Sequence, residues 1–159
     1  MSFGQNKRFE FLPHTADAKF RAYGRTLEEA VANAALAMAS LMWDFEQVEL
    51  EVREKVEIRA TSFESLIVKF LTEVLYLFEV KRFLLGKVEE VRLKLPSGQG
   101  SEEKAGEAVA GEYWLQATLA GDTYSEKYEI ISEVKAATYN DFKLERREDG
   151  VMLQMVVDM

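Results

Sequence analysis

The chain contains no cysteine. That excludes disulfides, thiolate metal sites and a thiol nucleophile, and it fits a reducing compartment. Histidine is nearly absent as well. His14 is the only one, so every two-histidine metal motif is excluded. There is no Gly-rich phosphate loop and no nucleophile elbow. An excess of basic residues is also missing, and the formal net charge is −8. Such a balance argues against phosphate-backbone binding as the main role, so any link to nucleic acid is expected to run through a protein partner. No uncharged apolar stretch reaches the ~18 residues a membrane span needs. Met1 to Arg8 lacks the apolar core of a signal peptide. A cytoplasmic protein with no membrane partner is expected.

What is present suffices for one packed core. At 159 residues and 48% hydrophobic content, the chain reads as a single domain. Phe9–Leu12 and Ala18–Gly24 read as strands around a loop containing Pro13. Thr26-Leu-Glu-Glu29 is a capping box that opens a helix with one apolar face, Leu27 to Met42. From Val48 to Ala60 apolar and charged residues alternate, as in a sheet with one face in water; Glu54 breaks the apolar side and predicts a turn or bulge. Thr61-Ser-Phe-Glu64 is a second capping box. It opens a helix through Phe78 whose wide apolar surface predicts the most buried element. Strands are expected at Phe83–Leu95, Glu112–Ala120, Lys135–Leu144 and Val151–Val157. A flexible loop is expected at about 96–111, and turns at Gly121-Asp122 and Glu148–Gly150. Tyr128, Ile130, Ser132, Val134 and Ala136 share a parity. The pattern predicts an α+β fold of two layers, with two long helices on one face of a mostly antiparallel sheet.

The candidate chemistry is carboxylate chemistry. The last strand ends on Asp158 and Met159, so a side-chain carboxylate and a terminal one lie within one residue of each other. Far upstream, His14-Thr-Ala-Asp17 offers another. If the fold brings Asp17 to the end of the last strand, three carboxylates converge, and such a cluster needs protons or a cation to neutralise it. Oxygen-only ligands suit Ca²⁺, Mg²⁺ or Mn²⁺. Read by itself, His14 is a general base, an orienting group or a plain loop residue, and Asp17 is a ligand or a turn-capping carboxylate. Asp141 lies in a strand region, where Asp is disfavoured, and so implies a bulge, an edge or a ligand role.

Taken in order, these pieces resemble the archease family. The matching segments are His14-Thr-Ala-Asp17, Ala22 to Ala30 with Asn33-Ala-Ala35, and Trp43-Asp44. They continue with Glu73 to Phe78, Val134-Lys-Ala-Ala-Thr-Tyr139 and Val156-Val-Asp-Met159. The resemblance implies an archease-like fold and a cytosolic cofactor protein of the RtcB-type RNA-splicing ligase. That ligase joins tRNA halves bearing a 2′,3′-cyclic phosphate and a 5′-hydroxyl through GTP-dependent guanylylation. Archease promotes guanylylation and multiple turnover, and reaches tRNA only through the ligase. It also implies a divalent cation, foremost calcium, held by Asp17, Asp158 and Met159. Lys135, Tyr139, His14 and Asp141 are further candidates for function. The family commonly has a histidine where this chain has Asn140. The other histidine common in the family, before the Lys-Ala-x-Thr-Tyr segment, is replaced as well, with Tyr128 at a matching place.

Three functions follow as expectations: a non-catalytic ligase activator, a free-standing metal-dependent hydrolase built on Asp17 and His14, and a general chaperone-like interaction module. The absence of a recognisable nucleophile–base pair weighs against the hydrolase.

Overall fold

The computed structural model describes residues 7–96 and 111–159. Most of the expected 96–111 loop therefore lies outside the described residues. Among the described residues, eight strands and two long helices form the expected α+β fold. The elements are β1 (Phe9–Leu12), β2 (Ala18–Gly24), α1 (Leu27–Met42), β3 (Val52–Ala60), α2 (Phe63–Lys81) and β4 (Phe83–Lys94). They continue with β5 (Tyr113–Thr123), β6 (Ala136–Ala137), β7 (Lys143–Arg147) and β8 (Gly150–Asp158). Every pairing is antiparallel.

The strands divide into two sheets, where one was expected. The first runs β1-β2-β8-β6, with β7 also on β8; the second runs β3-β5-β4. Helix α1 packs on β2 and β8 of the first sheet and on β4 of the second, while α2 packs on the second sheet and on β6. This changes which helix is most buried. Eleven of the sixteen residues of α1 are buried, including Ala30, Ala34, Ala35, Ala37 and Ala39. In α2 only eight of nineteen are. Small side chains let α1 approach two sheets at once; the larger residues of α2 cover one face. Gly24 marks the close approach, since a Cβ there would overlap the Ala30 amide at the start of α1.

Both helix starts are capped by side chains. Thr26 Oγ1 accepts the Glu29 N–H at 3.1 Å, and Glu29 Oε1 accepts the Arg25 N–H at 2.6 Å. The second cap sits one residue later than the sequence suggests: Ser62 Oγ accepts the Ser65 N–H at 3.1 Å. Helix α2 ends on Arg82 in the left-handed region (φ 57°), where its N–H meets the Leu77 and Phe78 carbonyls.

Three further expectations change. Strand β3 starts at Val52, because Phe45–Gln47 forms a 3-10 turn before it, and it passes Glu54 without a register break. The Glu54 carboxylate is instead paired with Lys81 at the end of α2, at 3.2 Å. Gly121-Asp122 is not a turn but part of β5. A side chain at Gly121 would overlap the Leu84 carbonyl of β4. From Tyr124 to Lys135 the chain is irregular. It is tied to α1 by the Ile131 N–H on the Met42 carbonyl (2.7 Å) and held by Tyr128, whose hydroxyl donates to Asp122 at 2.6 Å. The single strand expected over Lys135–Leu144 is two short ones, β6 and β7, separated by a turn.

Candidate carboxylate site

The geometry of the site follows from one register. Strands β2 and β8 pair from Gly24 with Val151 down to Ala18 with Val157. The next residues in line are Asp17 on the β2 side and Asp158 on the β8 side. The register thus brings Asp17 and Asp158, separated by most of the sequence, to the same end of the first sheet.

Asp17 ends the β1–β2 loop. The loop turns through Ala16 in the left-handed region (φ 68°), with the Asp17 N–H on the Thr15 carbonyl at 2.7 Å. Asp158 is exposed at its side chain but fixed at its backbone, because its carbonyl accepts the Lys135 N–H at 2.7 Å and Ala136 pairs beside it. Met159 packs its side chain on the core edge, which holds the residue in place beyond the last strand. Chain ends ordinarily fray.

The β6–β7 turn forms the other wall. Thr138 is bonded twice to the Val156 carbonyl, from its N–H at 3.2 Å and its hydroxyl at 2.8 Å. Asn140 follows with its N–H on Thr138 Oγ1 at 3.2 Å. Asp141 adopts a left-handed conformation (φ 51°), which explains an Asp in an otherwise strand-like stretch. Its carboxylate faces Lys19 Nζ at 3.4 Å and His14 Nε2 at 4.0 Å. His14 and Asp141 therefore belong to one polar cluster, with Lys19 between the loops. Lys135 and Tyr139 have exposed side chains; Lys135 touches the site through its backbone.

Several residues of this arrangement are not evident from motifs. Gln154, 6% exposed within apolar β8, donates from Nε2 to the Asp141 carbonyl at 2.8 Å and accepts from Arg21 Nε at 3.0 Å. It ties the Asp141 turn to the sheet, with Lys19 as a second tie. The only sequence signal was a lone polar residue in an apolar run. Arg21 lies between Gln154 and Glu10 in the register. Glu10 accepts a hydrogen bond from the Tyr23 hydroxyl. Burial, then that bond, pushes the Tyr23 hydroxyl up to about 12, while the Tyr23 and Lys7 hydrogen bonds hold Glu10 below the usual carboxylate range. Tyr128 does not join the site. Its hydroxyl serves Asp122 and the Glu49 N–H.

Among the described residues, no three Asp, Glu, His or Cys side chains converge closely enough to hold a metal. The candidate donor set at this end of the sheet is oxygen alone, the carboxylates of Asp17 and Asp158 with the main chain of Met159. It fits a hard cation and leaves coordination positions to water or a partner.

The model of the Archease protein family (MTH1598/TM1083) matches residues 9–159. The chain belongs to the archease family. It is 42% identical to the protein archease of Methanosarcina mazei over 158 residues, 98% of each chain. The archease fold is also that of two solved structures. One is protein 1598 of Methanobacterium thermoautotrophicum, with a TM-score of 0.72, 29% identity, and 96% of this chain and 99% of that one covered. The other is an archease from Thermotoga maritima described as a possible chaperone, with a TM-score of 0.58, 18% identity, and 93% and 94% covered. Among the described residues of this archease, no helix is long and apolar enough to cross a membrane.

Proposed function

We propose that this protein is a non-catalytic activator of the RtcB-type RNA ligase in tRNA splicing and RNA repair. It promotes ligase guanylylation and multiple turnover in the cytoplasm. The observation that supports this reading most directly is the β2–β8 register, which ends at Ala18 with Val157 and so brings Asp17 and Asp158 to the same end of the sheet in an archease chain. Asp17, Asp158 and Met159 would hold a divalent cation, calcium foremost, with manganese and magnesium as alternatives. A cation held by few protein ligands keeps positions that a partner's groups can complete. The net charge of −8 complements a ligase surface that is basic because it holds RNA. Structured tRNA is reached through that ligase.

A second reading, a chaperone-like module, draws on exposed apolar side chains such as Ile131, 59% exposed. A third is a free-standing hydrolase built on Asp17 and His14. One experiment separates the three: cyclic-phosphate RNA incubated with this protein, with and without ligase and GTP, followed by single-turnover guanylylation. Acceleration that requires ligase and is lost in Asp17→Ala supports the activator. Turnover without ligase supports the hydrolase. No effect on either step leaves the chaperone-like reading.

A further inference from the structure

The carboxylates lie at one end of β2. The other end borders a groove of about 590 Å³, a size ordinary for small-molecule sites. Helix α1 supplies one wall, with Glu29, Asn33 and Leu36 on one helical face. Strand β4 supplies another, with Gly86, Lys87 and Val88. Phe45, Val48 and Leu50 add apolar lining. Gly86 is the residue at which the β4–β5 register shifts. A Cβ there would stand 2.9 Å from Leu50 and 3.2 Å from Val48. The bulge and the missing side chain let the Val48–Leu50 segment lie against β4.

One atom of this lining lacks a partner. Asn33 is 9% exposed. Its Nδ2 donates to the Tyr23 carbonyl at 2.7 Å, while its Oδ1 accepts nothing among the described residues. Among those residues no fully buried side-chain oxygen or nitrogen is left unsatisfied, so Oδ1 is open, and the groove is what Asn33 lines. The fold thus holds the amide by its nitrogen and presents its oxygen. An acceptor so placed favours a ligand that brings a donor. Glu29 stands one turn earlier on α1, and its Oε1 is held by the capping bond from the Arg25 N–H at 2.6 Å. A carboxylate beside the acceptor favours a donor that is positively charged. On the β4 wall, Lys87 is exposed and forms no ion pair among the described residues. Arg8, 5.9 Å from the centre of the Phe45 ring, and Glu46 add one charge of each sign. Charges of both signs around an apolar lining suit a zwitterion with an apolar body.

We propose that this groove binds a free short peptide with an apolar side chain. Its α-ammonium donates to Asn33 Oδ1 and Glu29, the side chain rests on Leu36, Phe45 and Leu50, and its terminal carboxylate pairs with Lys87. A nucleotide also carries donors, but its phosphates would add negative charge beside Glu29 and Glu46 in a chain of net charge −8. A hydrocarbon would cover the Asn33 oxygen and leave it unpaired. The site does not rest on the ligase reading. Asn33 is bonded at Tyr23, near the end of β2 opposite Asp17.

The test titrates the full chain, labelled with nitrogen-15, with the tripeptide Leu-Leu-Gly. Calorimetry reads the affinity. The Asn33 side-chain amide and the Gly86 backbone amide report the place. Wild type should bind saturably and shift both signals. N-acetylation of the peptide removes its charge and leaves the protein untouched; it should weaken binding about tenfold or more, the factor for one hydrogen bond to a charged group. Glu29→Gln keeps an oxygen for the cap and should weaken binding roughly tenfold. Leu50→Asn, at a position 39% exposed, should weaken it severalfold. Lys87→Gln should weaken the free peptide and leave its C-terminal amide unaffected. Circular dichroism checks that each variant is folded. Equal binding of the acetylated peptide overturns the proposal, as does saturation with the Asn33 and Gly86 signals unmoved. Absence of binding at millimolar peptide also overturns it. So does adenosine monophosphate moving the same signals at lower concentration than the peptide.

Discussion

Replacing Asp158 by Asn should move two melting temperatures in opposite directions. In the metal-free protein Asp17 and Asp158 follow the last β2–β8 pair, Ala18 with Val157, on adjoining chains, and like charges opposite each other across strands destabilise by up to about 1 kcal/mol. Asp158→Asn removes that repulsion. Its backbone bond from Lys135 is unaffected, and the side chain is exposed, so nothing else is lost. For a domain of this size 1 kcal/mol is about 2–4 °C, so the metal-free variant should melt at the same temperature or up to a few degrees higher. With calcium or manganese the order reverses. A ligand at about 100 times its Kd stabilises by about 2.7 kcal/mol, or roughly 5–10 °C. Losing one of two side-chain carboxylates should weaken binding at least tenfold, which removes about 1.4 kcal/mol of that gain. Scanning calorimetry with chelator and then with a calcium titration reads both effects. A metal-free variant that melts lower while its calcium shift equals that of wild type would refute both the juxtaposition and the ligand role.

Other outcomes can be checked independently. Asp17→Ala should keep the fold and abolish ligase activation, measured by circular dichroism and single-turnover guanylylation; full activation by the folded variant removes Asp17 from the site. Gln154→Leu should cost about 1–3 kcal/mol by leaving Arg21 and the Asp141 carbonyl without their partner, and should reduce ligase activation, whereas Gln154→Glu should keep the bond from Arg21. Because the Tyr23 pKa is raised above its unfolded value of 10.0, to about 12, its contribution is complete below pH ~10 and fades as pH rises through 12. The unfolding free energy from urea titrations should therefore fall by up to about 2 kcal/mol over that window, and Tyr23→Phe should flatten the slope. Gly121→Ala should lower the melting temperature sharply by forcing β4 and β5 apart, whereas Gly111→Ala meets no atom within 4 Å among the described residues and adds only the strain of its left-handed backbone.

Local signals carried most of the element reading. Two capping sequences, strict alternation in β3 and the apolar β8 run each act within a few residues of one another, and the helices and strands stand where these place them. Pairing across the chain carries less local information. The split into two sheets depends on α1 wedging between them, and a helix rich in alanine looks amphipathic in sequence whether it covers one surface or two. Asp17 and Asp158 could be nominated from residue type and family resemblance, but their adjacency depends on a register set by the whole apolar face of β2 on β8. Gln154 and Lys19 escaped because their significance lies in what they tie down, the left-handed turn at Asp141.

Strand β8 is bonded along both of its edges, to β2 on one side and to β6 and β7 on the other, and Gly150 to Val157 are buried throughout. Its amides should exchange with solvent deuterium only when the whole domain opens, whereas those of residues 13–17, on an exposed loop, exchange through small local openings. The two carboxylates thus hang from parts of the molecule with very different opening free energies. Asp158 is anchored to the slowest-exchanging strand, and Asp17 rides on a fast one. Whatever bridges them transfers the protection of the strand to the loop, so exchange at 13–17 becomes a direct gauge of occupancy.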